Sequence, residues 1–434
     1  MTKKLLDHKI SRRRFINTTA GAAMTMTATG IPFGVSAGEK VVKIGFLAPL
    51  TGPVSPWGKP GLDGCLIWAD WVNTAGGLEI GGDHYKVEFV PYDNEYDPGK
   101  ARTGATKLIK EDGVSFIMML GGDTWAGVQK VAEKEGMLFS TLLPSDLTPD
   151  TKTLVAPCEV HPIYNVTAIQ YIAETMPHLK TAYTVTQDDA LGKPSVATYS
   201  AAYEVHGIKE IAKPIYFDPA TTDFAPVISK LMAAKPDILS LDTCHTPFVH
   251  SLLIQAYQQG YKGQIVSCTG DYYTKIIEKT SKEFMEGYLF QFPDFDDVAM
   301  TRPGINFDRP NEFYAEYVKR YGAGEWSAVS WEYASIMDLW GKAATAVGSI
   351  EPNKVLRSMK KGGIGKHAFG DSVWWGKELF GIDNALVGDW PVVAIEDGKA
   401  VIKKFYSVPD WWDQHGDVLV KHMSALGQMW HQRT

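Results

Sequence analysis

The stretch VVKIGFLAPLTGPVSPWG, Val41 to Gly58, decides how the chain is read. It opens on the apolar run VVKIGFLAPL, the pattern of a strand covered on both faces. It then passes through Thr51, Gly52, Pro53, Ser55, Pro56 and Trp57 into a helical pattern. A phosphate-cradling loop at this place would need G-x4-G-K-[ST]. Here Gly52 and Gly58 are one residue too far apart, and Lys59 precedes Pro60, which lacks the amide a phosphate cradle uses. A G-x-G-x-x-G fingerprint is absent too. What remains is a proline-braced lip presenting Thr51, Ser55 and Trp57 at the carboxyl end of a strand, the edge at which open α/β sheets bind ligands.

Outward from the lip, strand and helix alternate. GLDGCLIWADWVNTAGG places Leu62, Cys65, Leu66, Ala69 and Val72 on one helical stripe and stops at Gly76-Gly77. YKVEFVPYDNEYDP reads as a strand and turn, with Asp97 and Pro98 as N-cap and first residue of the next helix. VSFIMMLGG, TWAGVQKVAEKEG and MLFSTLLPS continue the alternation, which implies a doubly wound parallel sheet. The pattern restarts at KTAYTVTQDD and runs through DILSLDTC to GQIVSC. The expected fold class is therefore α/β, with two doubly wound Rossmann-like units split near residues 154–160. Two long helical segments follow. The pair DWPVVAIEDGKAVIKKF turns at Asp397-Gly398, and a Trp-rich amphipathic tail from about residue 408 is expected to dock as a helix.

The bulk numbers narrow the function classes. The chain has 434 residues, 45% apolar, and a formal charge of −7. No Lys/Arg run lies beyond the N-terminus, so no nucleic-acid partner is expected. The N-terminal segment SRRRFIN, a mildly apolar stretch and the small-x-small site Val35-Ser36-Ala37 have the layout of a twin-arginine export signal over residues 1–37. That stretch is too interrupted for a membrane span, and the expected location is the periplasm. The four cysteines form no CxxC; Cys244 and Cys268 each follow an expected strand and could pair, while Cys65, Cys158 and both of these also fit buried thiols. DNEYDPG fails as a calcium loop because Pro98 stands sixth and Gly104 twelfth. His245 and His250 are spaced off one helical face, and neither HExxH nor G-x-S-x-G occurs. No metal, no cofactor and no catalytic constellation are expected, and the protein is not expected to be an enzyme.

The polar signals gather at strand-to-helix turns: GGDTW (121–125), LPSDLTP (143–149), QDDALG (187–192), DTCHTP (242–247) and TGDYY (269–273). Helix N-termini there can hold a carboxylate, and acids with aromatic faces can hold an ammonium group. Each Ser, Thr or Asp also serves as an ordinary cap. The recurrence at turns of both units is what favours binding.

VVKIGFLAPLTGPVSPWG, the D-x-x-x-DP turn before KARTGATKLI, TTDFAPVISKL and LLIQAYQQGYKGQ together resemble the type I periplasmic substrate-binding proteins of ABC transporters, in the branched-chain amino acid-binding branch. The resemblance covers about residues 41–403. It implies two α/β lobes, 41–157 with 288–370 and 158–287 with 371–405, crossing near 155–160, 287–293 and 368–385, with 406–434 as a tail. It implies a small-molecule ligand closed in by a hinge motion and delivered to an inner-membrane ABC permease by a monomeric carrier. Trp57 matches the aromatic that covers the ligand. Thr124, beside Asp123 and Trp125, matches the hydroxyl turn for a carboxylate, and Ser145 and Asp146 match the next turn. Leu191 and His245 stand at positions usually aromatic, and Asp271, with Tyr272 beside it, falls near the acid that pairs with an amino group. The departures at Leu191 and His245 imply a polar or aromatic small molecule (an amino acid, amide or carboxylate) other than leucine. The same fold also serves ligand-sensing receptors for a signalling partner, and an exported enzyme is the third class.

Overall fold

The structure is a computed structural model that describes residues 40–242, 245–362 and 366–433. The expected export signal at 1–37 and Cys244 lie outside the described residues. Two sheets organise the chain. The first runs, in spatial order, Leu78–Ile80, Asp83–Asp93, Lys40–Ala48, Phe116–Met119, Phe139–Ser140 and Leu154–Val155. Lys40–Ala48 sits inside it, paired in parallel on both sides, and from Ile44 to Ala48 every side chain is buried. That two-sided burial is why the segment lacks polar alternation. Only the short edge strand Leu78–Ile80 runs antiparallel.

The second sheet has nine strands. Thr181–Gln187, Ile238–Leu241, Gln264–Ser267 and Leu289–Phe290 form its parallel centre. Ser372–Trp375, Ala385–Glu396 and Lys399–Ser407 add an antiparallel flank. Both sheets are thus mixed rather than wholly parallel. The turn of the last hairpin falls at Asp397 and Gly398, both at positive φ (48° and 78°), the geometry a tight two-residue hairpin turn requires.

The chain joins the two layers at well-defined strands. After Leu154–Val155, Ala156 bridges Ala385: its N–H donates to the Asn384 carbonyl, and the Leu386 N–H donates to the Ala156 carbonyl, both at 2.9 Å. Ala385–Glu396 then continues past a register irregularity at Val392/Val393 to pair with Leu289–Phe290. One strand therefore touches the edge of the first sheet at its start and belongs to the second at its end.

Helix Lys59–Thr74 packs on helix Ala328–Val347. The contact is too close for side chains at two positions. A Cβ on Gly64 would lie 2.1 Å from the Ser330 carbonyl oxygen, and one on Gly61 would lie 2.2 Å from the Tyr333 ring. These glycines turn the buried face away from the expected stripe. Cys65 and Ala69 are buried as expected, but Ile67 and Trp68 join them while Leu66 is 39% exposed. Asp97 caps its helix, accepting from the Lys100 N–H at 2.7 Å, with Pro98 first in the helix. The tail forms helix Val408–Ala425, capped by Ser407, and docks on helix Gly192–His206, where Lys421 and His422 meet Glu204. Its last residues then reach the first layer, with Arg433 donating to the Ser145 and Leu147 carbonyls. No described helix is long and apolar enough to cross a membrane.

Candidate functional site

The site is built from the lip outward. Asp93, at the end of the neighbouring strand, accepts from the Leu50 N–H at 2.9 Å and from the Thr51 hydroxyl at 2.5 Å, which fixes the start of the loop. A single 3-10 turn, Ser55–Trp57, then carries Trp57 inward until it is 7% exposed. The acidic run after the next strand has a related task. Asp93 accepts from the Glu95 N–H, and Asn94 accepts from the Tyr96 N–H, each at 2.9 Å. These side-chain turns stabilise positive φ at Glu95 and Tyr96 (47° and 60°) and deliver the Tyr96 ring to the same cleft.

Trp57, Tyr96, Leu120 and Leu143 from the first layer face Leu191 and His245 from the second, with Glu159 and His161 from the first crossing segment between them. Together they line a tight space that leaves about 10 Å³ free. The second-layer side is held by buried Gln187. Its Oε1 accepts from the His245 N–H at 2.9 Å and its Nε2 donates to Asp189 at 2.6 Å. Asp189 in turn accepts from the Leu191 and Gly192 N–H groups. The Trp57 and His245 rings meet edge to face with centroids 6.3 Å apart.

Several buried polar atoms here have no hydrogen-bond partner among the described residues: Trp57 Nε1, both ring nitrogens of His161 and His245 Nδ1. Burial lowers the His161 imidazole to about 3, helped by His245, and lowers His245 to about 4. Both rings are therefore neutral near pH 7 and can each donate and accept one hydrogen bond. Glu159 accepts from the Tyr164 hydroxyl at 2.8 Å. Burial pushes Glu159 and Glu332 above the usual carboxylate range, and in Glu332 the Glu159 charge adds to this. Tyr96 is pushed up by burial and then by Asp123, Asp146 and Asp189. No lysine or arginine lines the cavity. The arrangement can cover an apolar body and satisfy a donor-rich end.

The residues singled out in the sequence separate into groups. The structure brings Trp57, Leu191 and His245 to the cavity. Thr124, at the start of helix Asp123–Glu135, is fully buried and donates to the Gly121 carbonyl at 2.8 Å, so its hydroxyl serves its own turn. Asp123 is exposed, and Trp125 packs edge-on against Phe139. Asp146 accepts from the Gly122 N–H and the Thr141 hydroxyl; burial lifts it to about 7 against the pull of those bonds. Ser145 offers its carbonyl to Arg433. Asp271 and Tyr272 line a different cavity. The Asp271 carboxylate accepts from the Ala328 N–H at 3.0 Å, at the N-terminus of helix Ala328–Val347. The first-layer turns thus use their polar side chains internally, because a tight turn at positive-φ Gly121 and Gly122 needs them.

Sequence reasoning missed Tyr96, Leu120, Leu143, Glu159 and His161. Leu120 and Leu143 adjoin turns that were singled out. Tyr96 lay in a run weighed only as a cation loop. Glu159 and His161 lie in CEVHP, within the segment at which the two units divide; a linker between two layers floors the cleft between them, and that was the available signal.

The cavity thus lies between the two sheets, floored by the first crossing segment. Comparison with known proteins identifies the family. The family described as periplasmic binding protein matches residues 41–400. The chain is 27% identical over 235 residues to a leucine-, isoleucine-, valine-, threonine- and alanine-binding protein of Pseudomonas aeruginosa, covering 53% of this chain and 60% of that one. Among solved structures, a leucine-binding protein from Thermotoga maritima superposes with a TM-score of 0.66 at 20% identity, covering 85% of this chain and all (100%) of that one. A solute-binding protein of an ABC transporter from Rhodopseudomonas palustris BisB5, in complex with 3,4-dihydroxybenzoic acid, gives 0.70 at 18% identity, covering 85% and 98%. The chain belongs to the periplasmic binding protein family. This is a family of binding proteins, not of enzymes.

Proposed function

We propose that the protein is the solute-binding component of an ABC uptake system and captures a small amphipathic molecule carrying an amino or amide group. The observation that carries this reading is the cavity itself: Trp57, Leu120, Leu143 and Leu191 supply apolar walls, while His161 and His245 present buried ring nitrogens without partners among the described residues. Buried polar groups of this kind are costly unless a ligand satisfies them, and a site built so discriminates strongly for the ligand that does. With two neutral imidazoles and the Glu159 carboxyl but no lysine or arginine among the described residues, the lining favours donors over a free anionic carboxylate. The relative named above is an amino-acid binder, which agrees with a donor-rich ligand.

Capture proceeds by closure. The solute docks against the first lobe, the lobes close about the crossing strands, and an inner-membrane permease receives the closed, monomeric carrier. Residues 1–37 direct the chain to the periplasm by the twin-arginine route; replacing Arg12 and Arg13 with lysine should retain the protein in the cytoplasm. The ligand assignment is tested by native mass spectrometry of the purified protein, then a thermal-shift panel of amino acids, amides and hydroxybenzoates. Stabilisation by an amine or amide, lost in Trp57→Ala, is the expected result. Stabilisation by benzoates alone would overturn the donor-rich reading.

A further inference from the structure

A second cavity, of about 140 Å³, lies apart from the first, where the two layers meet beside the second crossing. Tyr273, Phe290 and Phe292 come from the second-sheet side, and Tyr314 and Trp326 from the helical segments packed on the first. Tyr314 and Trp326 stand at 61° with centroids 4.7 Å apart; Tyr273 and Phe290 stand at 39° and 6.2 Å. Asp294 lines the same space, with the Tyr273 hydroxyl donating to its Oδ2 at 2.9 Å. Among the described residues no lysine or arginine lines the cavity or forms an ion pair with Asp294, and the nearest cation contact is Lys275 Nζ, 4.6 Å from the centroid of the lining Tyr272 ring.

Asp271 and Tyr272 line the same space, so six aromatic residues surround two carboxyls there. Ring faces attract a positive charge, and they do so best when the cation is large and weakly hydrated, as an N-alkylated ammonium is. We propose that this cavity is a second binding site, for an alkylated ammonium cation, that spans the boundary between the lobes. Burial and the neighbouring Asp296, Asp271 and Asp297 charges lift Asp294 to about 7, and a bound cation would relieve that repulsion. Because its walls come from both lobes, an occupant stabilises the closed form without entering the solute cavity. This goes beyond solute capture and adds a regulatory input to it.

The test compares choline with its neutral isostere 3,3-dimethyl-1-butanol by calorimetry, on the wild type, Asp294→Asn, Tyr314→Leu and Trp57→Ala. Choline is expected to bind with a Kd of about 1 mM or tighter. The isostere should bind at least about tenfold more weakly, since it keeps the shape and loses the charge. Asp294→Asn and Tyr314→Leu, each with an unchanged melting temperature, should lose about tenfold in choline affinity, and Trp57→Ala should keep it. Equal binding of choline and the isostere, or no choline binding, overturns the proposal. So does binding that Trp57→Ala abolishes and the cage variants retain, because the cation then occupies the solute cavity. Failure of this test leaves the solute-capture reading to its own ligand panel.

Discussion

Replacing Asp271 should weaken solute binding from outside the solute cavity. Its carboxylate accepts from the Ala328 N–H at 3.0 Å and from the Thr269 hydroxyl at 3.0 Å. Asp271 follows the second-sheet strand Gln264–Ser267, whereas Ala328 begins the helix packed on Lys59–Thr74. The bond therefore joins the second sheet to a helix packed on the first, across the boundary that the proposed closure would open and shut. A hydrogen bond to a charged acceptor contributes about 1.5–3 kcal/mol, and an acid at a helix N-terminus adds about 0.3–1 kcal/mol. Burial raises the Asp271 carboxyl above its usual range, so part of this gain offsets desolvation. A net latch of about 2 kcal/mol corresponds to roughly a 30-fold change in the closed-to-open ratio. If the free protein is mainly open, the whole factor appears in the apparent Kd of Asp271→Ala. Asp271→Asn keeps an acceptor and should recover about half of the free energy. Calorimetry with the ligand from the panel reads the affinity, and small-angle scattering reads the open population. An Asp271→Ala protein with wild-type Kd and wild-type scattering would refute the latch.

The other predictions are more local. Trp57→Ala should cost about 1–3 kcal/mol of solute affinity, read by calorimetry, because it removes one aromatic wall and leaves His245 without its edge contact. Gly64→Ala should lower stability by about 2 kcal/mol or more in urea titration, since the added Cβ meets the Ser330 carbonyl at 2.1 Å and that backbone cannot yield cheaply. His367 is held neutral, its Nε2 donating to the Cys158 carbonyl at 2.8 Å and its Nδ1 accepting from the Phe369 N–H at 3.3 Å. Burial lowers it from 6.5 to about 4, so as pH falls from about 6.5 to about 4 the unfolded chain takes up a proton that the folded chain refuses. Stability should drop by about 1.4 kcal/mol per pH unit from this group, and His367→Gln should flatten that limb in denaturation series across the same range.

How much of this was legible in the sequence depends on what each feature needs. Buried parallel strands need only their own residues to be apolar, so VVKIGFLAPL and FIMM announce themselves. Asp97-Pro98 and Asp397-Gly398 are local chemistry and are likewise readable. The face of helix Lys59–Thr74 was not, because Gly61 and Gly64 act through a partner more than 250 residues away: apolar counting gives no weight to a missing side chain. The short antiparallel edges, Leu78–Ile80 and Ser372–Trp375, carry too few residues for any period to emerge.

The turns show the limit most sharply. All five were visible as polar ends of apolar strands, yet a polar side chain at a turn can serve the turn, the ligand or the other lobe. Thr124 and Asp146 serve their own turns, because glycines at positive φ leave amides and carbonyls that only nearby side chains can satisfy. Leu191 and His245 are carried to the cavity by Asp189 and Gln187, whose roles depend on two loops meeting. Asp271 serves the other lobe, and its partner is a main-chain amide that no sequence motif marks. Strand ends therefore locate a cleft, while the division of labour among its residues is set by which backbone groups the fold leaves unsatisfied. That rule also explains why the crossing segment supplies His161: it is the stretch of chain that lies between the layers, and both ring nitrogens keep no partner among the described residues.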